Sequence, residues 1–260
     1  MLLELKGVGM HFGGLRALDG VNLALEQGMI RSLIGPNGAG KTTLFNIVSG
    51  LTPATQGEVV FMGRKITGMK SFEISKLGIA RTFQNVRLFQ HMSVLQNVMV
   101  GEHNRTKIGL VGAVLRTPSM RKEEKEAKKD ALSLLEFVGL AELMNEGAQG
   151  LPYGKQRLLE LARALASKPR LLLLDEPTAG MNLTETGTLT RMILKIREMG
   201  VTVFLVEHRM KVVMEISDQV TVLDHGSKIS EGTPDQVKED EKVIRAYLGE
   251  KRTERLSGNG

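Results

Sequence analysis

The chain has 260 residues, 42% of them hydrophobic and 25% charged, which allows a substantial core and excludes disorder of the whole. It has no cysteine, which excludes disulfides and thiolate metal sites and fits a reducing compartment. The net charge of +6 invites a nucleic-acid reading, but the basic residues are scattered and there are few aromatics, with no recognition motif.

The N-terminus, MLLELKG, meets Glu4 at once and lacks the charged-then-apolar layout of a signal peptide. Residues 2 to 33 alternate short β-type runs (LLELKGV, VNLALEQ, MIRSLI) with glycine turns, and GEVVFMGRKI over 57 to 66 continues the pattern. Between them lies GPNGAGKT, Gly35 to Thr42, a full match to G-x-x-x-x-G-K-[ST]. The context is right for a phosphate loop. MIRSLI is a strand before it, and Leu44, Ile47, Val48 and Leu51 form one helical stripe after it. Gly35, Gly38 and Gly40, with Pro36, Asn37 and Ala39 between them, let the backbone curl its N–H groups around phosphate oxygens. The helix that follows turns its positive end to the same anion. Lys41 is expected to reach the β- and γ-phosphates of a nucleotide, and the Thr42 hydroxyl to ligate Mg²⁺.

Further along, Gln84 in IARTFQNVRLF has a side-chain carbonyl that could reach Mg²⁺ or water, although on its residues alone it is an ordinary polar position. From Ser93 to about Leu165 the pattern is helical. The longest apolar run, Ile108 to Leu115, has eight residues and is far short of the ~20 a spanning helix needs. RKEEKEAKKD, 121 to 130, reads as a solvated helix face with opposite charges near i,i+4 spacing. LPYGKQR, 151 to 157, opens a helix that places Leu158, Leu161, Ala162 and Leu165 on one face.

Beyond Arg170, buried strands and helices alternate, as in a parallel sheet covered on both faces. LLLLDEP ends an apolar strand with Asp175 and Glu176 at its carboxyl edge, where open α/β sheets bind ligands. Asp175 is the natural Mg²⁺ partner of a phosphate loop, and Glu176 a candidate to accept a proton from water attacking the γ-phosphate. VTVFLVE is followed at once by His208, whose imidazole could bind the γ-phosphate and orient the water, or be structural. The chain closes on QVTVLDHGSKISEG and a tail, KRTERLSGNG, expected to fray. The expected architecture is α/β. A P-loop core carries an antiparallel β subdomain and an inserted helical subdomain near 85 to 165, all in one domain over 1 to 250.

In this order and spacing the motifs resemble those of ATP-binding cassette (ABC) ATPases from Leu2 to about Leu248. The resemblance implies that Phe12 stacks on adenine, although core packing is an equal reading of that residue. It also implies that Gly35 to Thr43 hold phosphate, with Thr43 closing the loop, and that Thr42, Gln84 and Asp175 hold Mg²⁺. Lys41, Glu176 and His208 then carry the chemistry of ATP hydrolysis. Leu151, Pro152, Tyr153, Gly154 and Lys155 fall where the family has Leu-Ser-Gly-Gly-Gln, a signature loop that contacts ATP held by the opposite subunit of a head-to-tail dimer. Pro152 offers neither hydroxyl nor N–H, so one contact of that loop is missing. AGMN, 179 to 182, matches the subunit-communication loop, with Asn182 where aspartate is usual.

Finer wording, RTFQNVRLFQHMSVLQNVMVGEH and GTPDQVKEDEKVIRAYLGE, resembles the ATP-binding subunits of bacterial branched-chain amino acid importers. That implies a cytoplasmic subunit, peripheral on the inner face of the membrane. It docks on permease subunits, pairs with a second ATPase (the same chain or a paralogue) and is served indirectly by a periplasmic binding protein. Nucleic acid is not an expected partner. Val86, Leu88 and Phe89 are then either permease-facing or subdomain core. Related ATPases for urea, amides or lipid-linked export, and a hydrolysis-impaired regulatory subunit, are the alternatives.

Overall fold

The computed structural model describes residues 1–102 and 118–247, the side chains of 118–123 excepted. The apolar run 108–115 and the tail 251–260 lie outside the described residues.

Two sheets organise the molecule. The smaller is antiparallel, in the order β2-β1-β4-β5, with β1 at Leu3–Phe12, β2 at Leu15–Leu25, β4 at Gln56–Phe61 and β5 at Arg64–Lys65. The larger runs β10-β9-β3-β8-β7-β6. Its strands are β3 Ile30–Ile34, β6 Ile79–Arg81, β7 Leu171–Asp175, β8 Thr202–Val206, β9 Gln219–Asp224 and β10 Ser227–Gly232. All of its pairings are parallel except β9 with β10, which supplies the antiparallel edge.

Every residue of β3, β7 and β8 is buried, as strands covered on both faces require. The two-residue period of a strand then sorts their side chains. Leu171, Leu173, Phe204 and Val206 join one core with Leu44, Phe45 and Val48 of helix α1 (Lys41–Val48) and the inner face of the antiparallel sheet. Leu172, Leu174, Val203 and Leu205 join the opposite core with Leu189, Ile193 and Ile196 of the long helix Leu183–Glu198. Leu51 departs from the expected stripe. The α1 helix ends at Val48, and Leu51 lies beyond it, half exposed.

After the short helix α2 (Ser71–Lys76) and β6 comes the helical subdomain. Its helices are α3 (Val94–Gly101), α4 (Pro118–Phe137) and α5 (Tyr153–Ala166). Val94, Val98, Ala131, Leu135, Leu151, Leu159 and Ala162 form its core. The charged side chains from Glu124 to Lys129 on α4 are exposed, as expected of a solvated face. The single apolar face expected for α5 is in fact two. Leu161 and Leu165 pack into the sheet's core, whereas Leu159, Ala162 and Ala166 pack into the helical subdomain. The helix is clamped between layers and therefore buries more than one stripe. Three helices complete the order: α6 (Leu183–Glu198), α7 (Met210–Ile216) and α8 (Pro234–Glu239). Among the described residues no helix is long and apolar enough to cross a membrane.

Candidate active site

Sheet order explains why residues far apart in sequence meet. Strands β3, β8, β7 and β6 are successive neighbours. Leu33 pairs with Val206, and Val206 with Asp175. The three adjacent strands therefore end within a residue of one level, bringing Gly35, Glu207 and Glu176 to the same carboxyl edge. Gln84 follows β6 at the same edge.

The phosphate loop spans the turn from β3 to α1. Gly38 (φ +77°) and Gly40 (φ +101°) adopt left-handed backbone, Gly40 as the N-cap of α1. A Cβ at Gly35 would lie 2.0 Å from the Leu223 carbonyl oxygen, and one at Gly40 2.6 Å from that of Ala17. Glycine is thus imposed by packing as well as by φ. Lys41 is buried and arches back over the loop, its Nζ donating to the carbonyls of Gly35 and Pro36 at 2.7 Å each. No acidic residue occupies the first turn of α1 to offset its positive end.

Beside this loop three side chains converge. Gln84 Nε2 donates to Glu176 Oε2 at 3.0 Å, and His208 Nε2 lies 2.9 Å from Glu176 Oε1. Glu176 adopts φ +47° and its N–H donates to the Val206 carbonyl at 2.9 Å. Together with Asn37 to Thr43 these three residues line a cleft of about 440 Å³. Phe12 lines the same cleft and is 52% exposed, so the core-packing reading of that residue does not hold. Arg16 and His225 complete the basic side of the cleft.

Asp175 is placed differently from the expectation. It is buried one residue behind Glu176, and its Oδ2 accepts from Arg81 Nη2 at 2.8 Å. Arg81 also donates to Asn46 Oδ1 and Ser49 Oγ, each at 2.8 Å, tying β6 and β7 to α1. Among the described residues no three acidic or histidine side chains form a metal cage. Mg²⁺ takes few protein ligands and completes its shell with phosphates and water, and the polar oxygens of Thr42 and Gln84 are of the kind that fit it. Thr42 and Gln84 both line the cleft.

Residues 151–155, expected to form the signature loop, do not line this cleft. Leu151 is buried in the helical subdomain's core. Pro152 is the N-cap of α5 and makes no side-chain cap. Tyr153 is 42% exposed, beside Gly180, while Gly154 lies against Glu185, where a Cβ would stand 2.3 Å from Oε1 and displace that side chain. Lys155 is exposed. These residues and the 179–182 turn therefore share another face of the molecule. Asn182, which departs from the usual aspartate, caps α6. Its side chain accepts from the Glu185 N–H at 3.0 Å, and Glu185 Oε2 accepts in return from the Asn182 N–H.

Sequence reasoning missed Arg81 and Arg157. Arg157 Nη1 donates to the Phe83 carbonyl at 2.6 Å, and Nη2 donates to that of Gln84. One signal was available. Arg157 lies four and eight residues before Leu161 and Leu165, so a cation stands on the buried face of a helix. Glu160, nearby on α5, accepts from the Phe83 and Arg87 N–H groups at 3.4 and 3.3 Å. Burial pushes its pKa above the ordinary 4.5, against those hydrogen bonds and the charge of Arg157. Of the apolar trio 86, 88 and 89, Leu88 packs on the helical core, whereas Phe89 lines a groove between the subdomains.

A phosphate loop at the carboxyl edge of a parallel sheet, with an antiparallel sheet and a helical layer attached, defines a nucleotide-binding cassette. The family model described as "ABC transporter" matches residues 18–179, and the chain belongs to that family of transport ATPases. A second model, "Branched-chain amino acid ATP-binding cassette transporter", matches residues 227–252. The chain is 46% identical to the high-affinity branched-chain amino acid transport ATP-binding protein BraF of Pseudomonas aeruginosa. That match runs over 250 residues, 96% of this chain and 98% of BraF. It is 45% identical to LivG of Escherichia coli strain K12, with the same coverage. Among solved structures it resembles an ABC transporter cassette in its ADP conformation (TM-score 0.83, 32% identity, 95% of this chain and 98% of that one). It also resembles a cassette dimer bound to ADP and phosphate (TM-score 0.76, 27% identity, 90% and 99%).

Proposed function

We propose that this chain is the ATP-hydrolysing motor subunit of an importer for branched-chain amino acids. The observation that carries the enzymatic part is the meeting of Gln84, Glu176 and His208 beside a complete phosphate loop. In this reading the loop N–H groups and Lys41 hold the β- and γ-phosphates, and Phe12 offers its exposed ring to adenine. A water oxygen attacks the γ-phosphorus as the bond to the β–γ bridging oxygen breaks. Glu176 accepts the water proton, and ADP and phosphate leave. His208 and Gln84, both held to the Glu176 carboxylate, orient the water. Most of the acceleration is positioning and charge stabilisation. Mg²⁺, when bound, neutralises charge on the phosphates; Thr42 and Gln84 would hold it, with Asp175 set behind Glu176 on Arg81.

The rest of the assembly follows from what faces elsewhere. Residues 151–155 and 179–182 lie off the cleft, which suits a head-to-tail pair in which each subunit's signature loop completes the other's site. The partner is a second copy or a paralogue. The groove of about 390 Å³ between sheet and helical subdomain, lined by Phe83, Arg87, Phe89 and Arg163 among others, suits a permease subunit. Docking there would place the chain on the inner face of the membrane, with a periplasmic binding protein supplying solute on the other side. The names of the 46% and 45% identical relatives support branched-chain amino acids as that solute.

Mg-ATP turnover per molecule, measured over a wide protein concentration range beside Lys41→Ala and Glu176→Gln, tests this. Glu176→Gln should lower turnover by about a hundredfold or more while nucleotide still binds, and Lys41→Ala should weaken binding itself. Specific activity that rises with concentration supports self-pairing. A Glu176→Gln variant that turns over like the parent overturns the assignment.

A further inference from the structure

The middle letter of the signature loop has work that its family counterpart cannot do. Arg157 is only 4% exposed, and a guanidinium so placed is costly unless its hydrogens find acceptors. Two of its nitrogens hold the carbonyls of Phe83 and Gln84, and Nη1 also lies 3.4 Å from Glu160 Oε2. The third, Nε, donates to the Tyr153 hydroxyl at 3.0 Å, and the guanidinium carbon stands 5.3 Å from the Tyr153 ring centroid. The Cδ1–Cε1 side of that ring abuts the 179–182 turn, where a Cβ at Gly180 would lie 2.9 Å from Tyr153 Cε1.

We propose that Tyr153 is a positioning residue. Its hydroxyl and ring fix Arg157, Arg157 fixes the carbonyls of Phe83 and Gln84, and the Gln84 side chain is thereby aimed at Glu176. The inference rests on the reading that Glu176 acts in hydrolysis. It assigns a role to a side chain where the signature usually has glycine, which could neither accept the Nε hydrogen nor lie against Gly180. It also joins the face expected to meet a second subunit to the catalytic carboxylate through contiguous contacts, in the order Gly180, Tyr153, Arg157, Gln84, Glu176.

Tyr153→Phe keeps the ring and removes only the acceptor. It should lower kcat about tenfold, by loss of one charge-assisted hydrogen bond, with KM for ATP unchanged. Arg157→Lys keeps the charge but cannot span the same acceptors, and it should lower kcat at least as much. The decisive measurement is the double variant. If Tyr153 acts through Arg157, adding Tyr153→Phe to Arg157→Lys costs nothing further; losses that multiply overturn the proposal and place Tyr153's effect elsewhere. Amide hydrogen exchange gives a readout independent of turnover. The Phe83 and Arg87 N–H groups should exchange faster in Tyr153→Phe than in the parent. Unchanged protection overturns the proposal even if Arg157→Lys fails to fold. Because exchange needs no catalysis, it separates failure of this relay from failure of the Glu176 assignment, which Glu176→Gln reports.

Discussion

Glu176 holds a left-handed backbone at φ +47°, a conformation that costs a non-glycine residue about 1–3 kcal/mol and persists only where its surroundings enforce it. The enforcing contacts are its N–H on Val206 and its carboxylate between Gln84 and His208. Its side chain thus emerges at the cleft while its neighbour Asp175 stays buried on Arg81. The same scale decides what Pro152 does. It caps α5 with extended backbone (φ −54°, ψ 150°) and leaves the helix's first N–H groups without a side-chain acceptor. A serine there would both accept from one of those N–H groups and present a hydroxyl on the face that residues 151–155 share with the 179–182 turn. Pro152→Ser is therefore expected to raise ATP turnover by about one to two powers of ten, the value of one charge-assisted hydrogen bond realised in the transition state. Turnover equal to or below that of the parent would remove this account of Pro152.

At the scale of an element, α6 shows how a departure from a family letter can be chemically quiet. Asn182 and Glu185 form a reciprocal capping box, and aspartate would accept the same N–H. Asn182→Ala should destabilise the protein by about 1 kcal/mol, whereas Asn182→Asp should change little, as read from urea midpoints at constant m-value. The box was legible in the sequence, since Asn182 is followed three residues later by Glu185 at the start of an apolar-periodic run. The double face of α5 was harder to read. Leu158 to Leu165 gives the right period for a helix, but period alone does not say how many layers will close on it.

At the scale of the molecule, α5 joins two cores and carries at that junction a buried acid, Glu160, 2% exposed. Its folded pKa is raised above 4.5, chiefly by burial, so the folded state binds the proton more tightly than the unfolded chain. Folding stability from this group is therefore highest below 4.5. It falls as pH rises from 4.5 through the folded pKa, beyond which the full penalty of a buried carboxylate applies. Glu160→Gln should remove that slope. Urea midpoints of parent and variant across this window should diverge with rising pH, the parent losing ground relative to the variant. Parallel midpoints would show that Glu160 titrates alike in both states.

The sequence by itself determined the phosphate loop, the apolar strands that lead to Glu176 and His208, and the layered α/β class. Those features are local: a glycine pattern, a two-residue or a 3.6-residue period, a cap. Gln84, ordinary in isolation, takes a site role only through the resemblance, which matches it to the family's glutamine loop. Only the tertiary structure decided which partner each buried charge would take. Arg81 reaches Asp175 across 94 positions of sequence, and Arg157 reaches Phe83 across 74. A buried guanidinium must find acceptors wherever packing brings them, and sheet order, not spacing along the chain, sets that choice. For the same reason the letters of LPYGKQR could be read but their contacts could not. Tyr153 gained its role only when α5 was laid between two cores and the 179–182 turn came to rest against its ring.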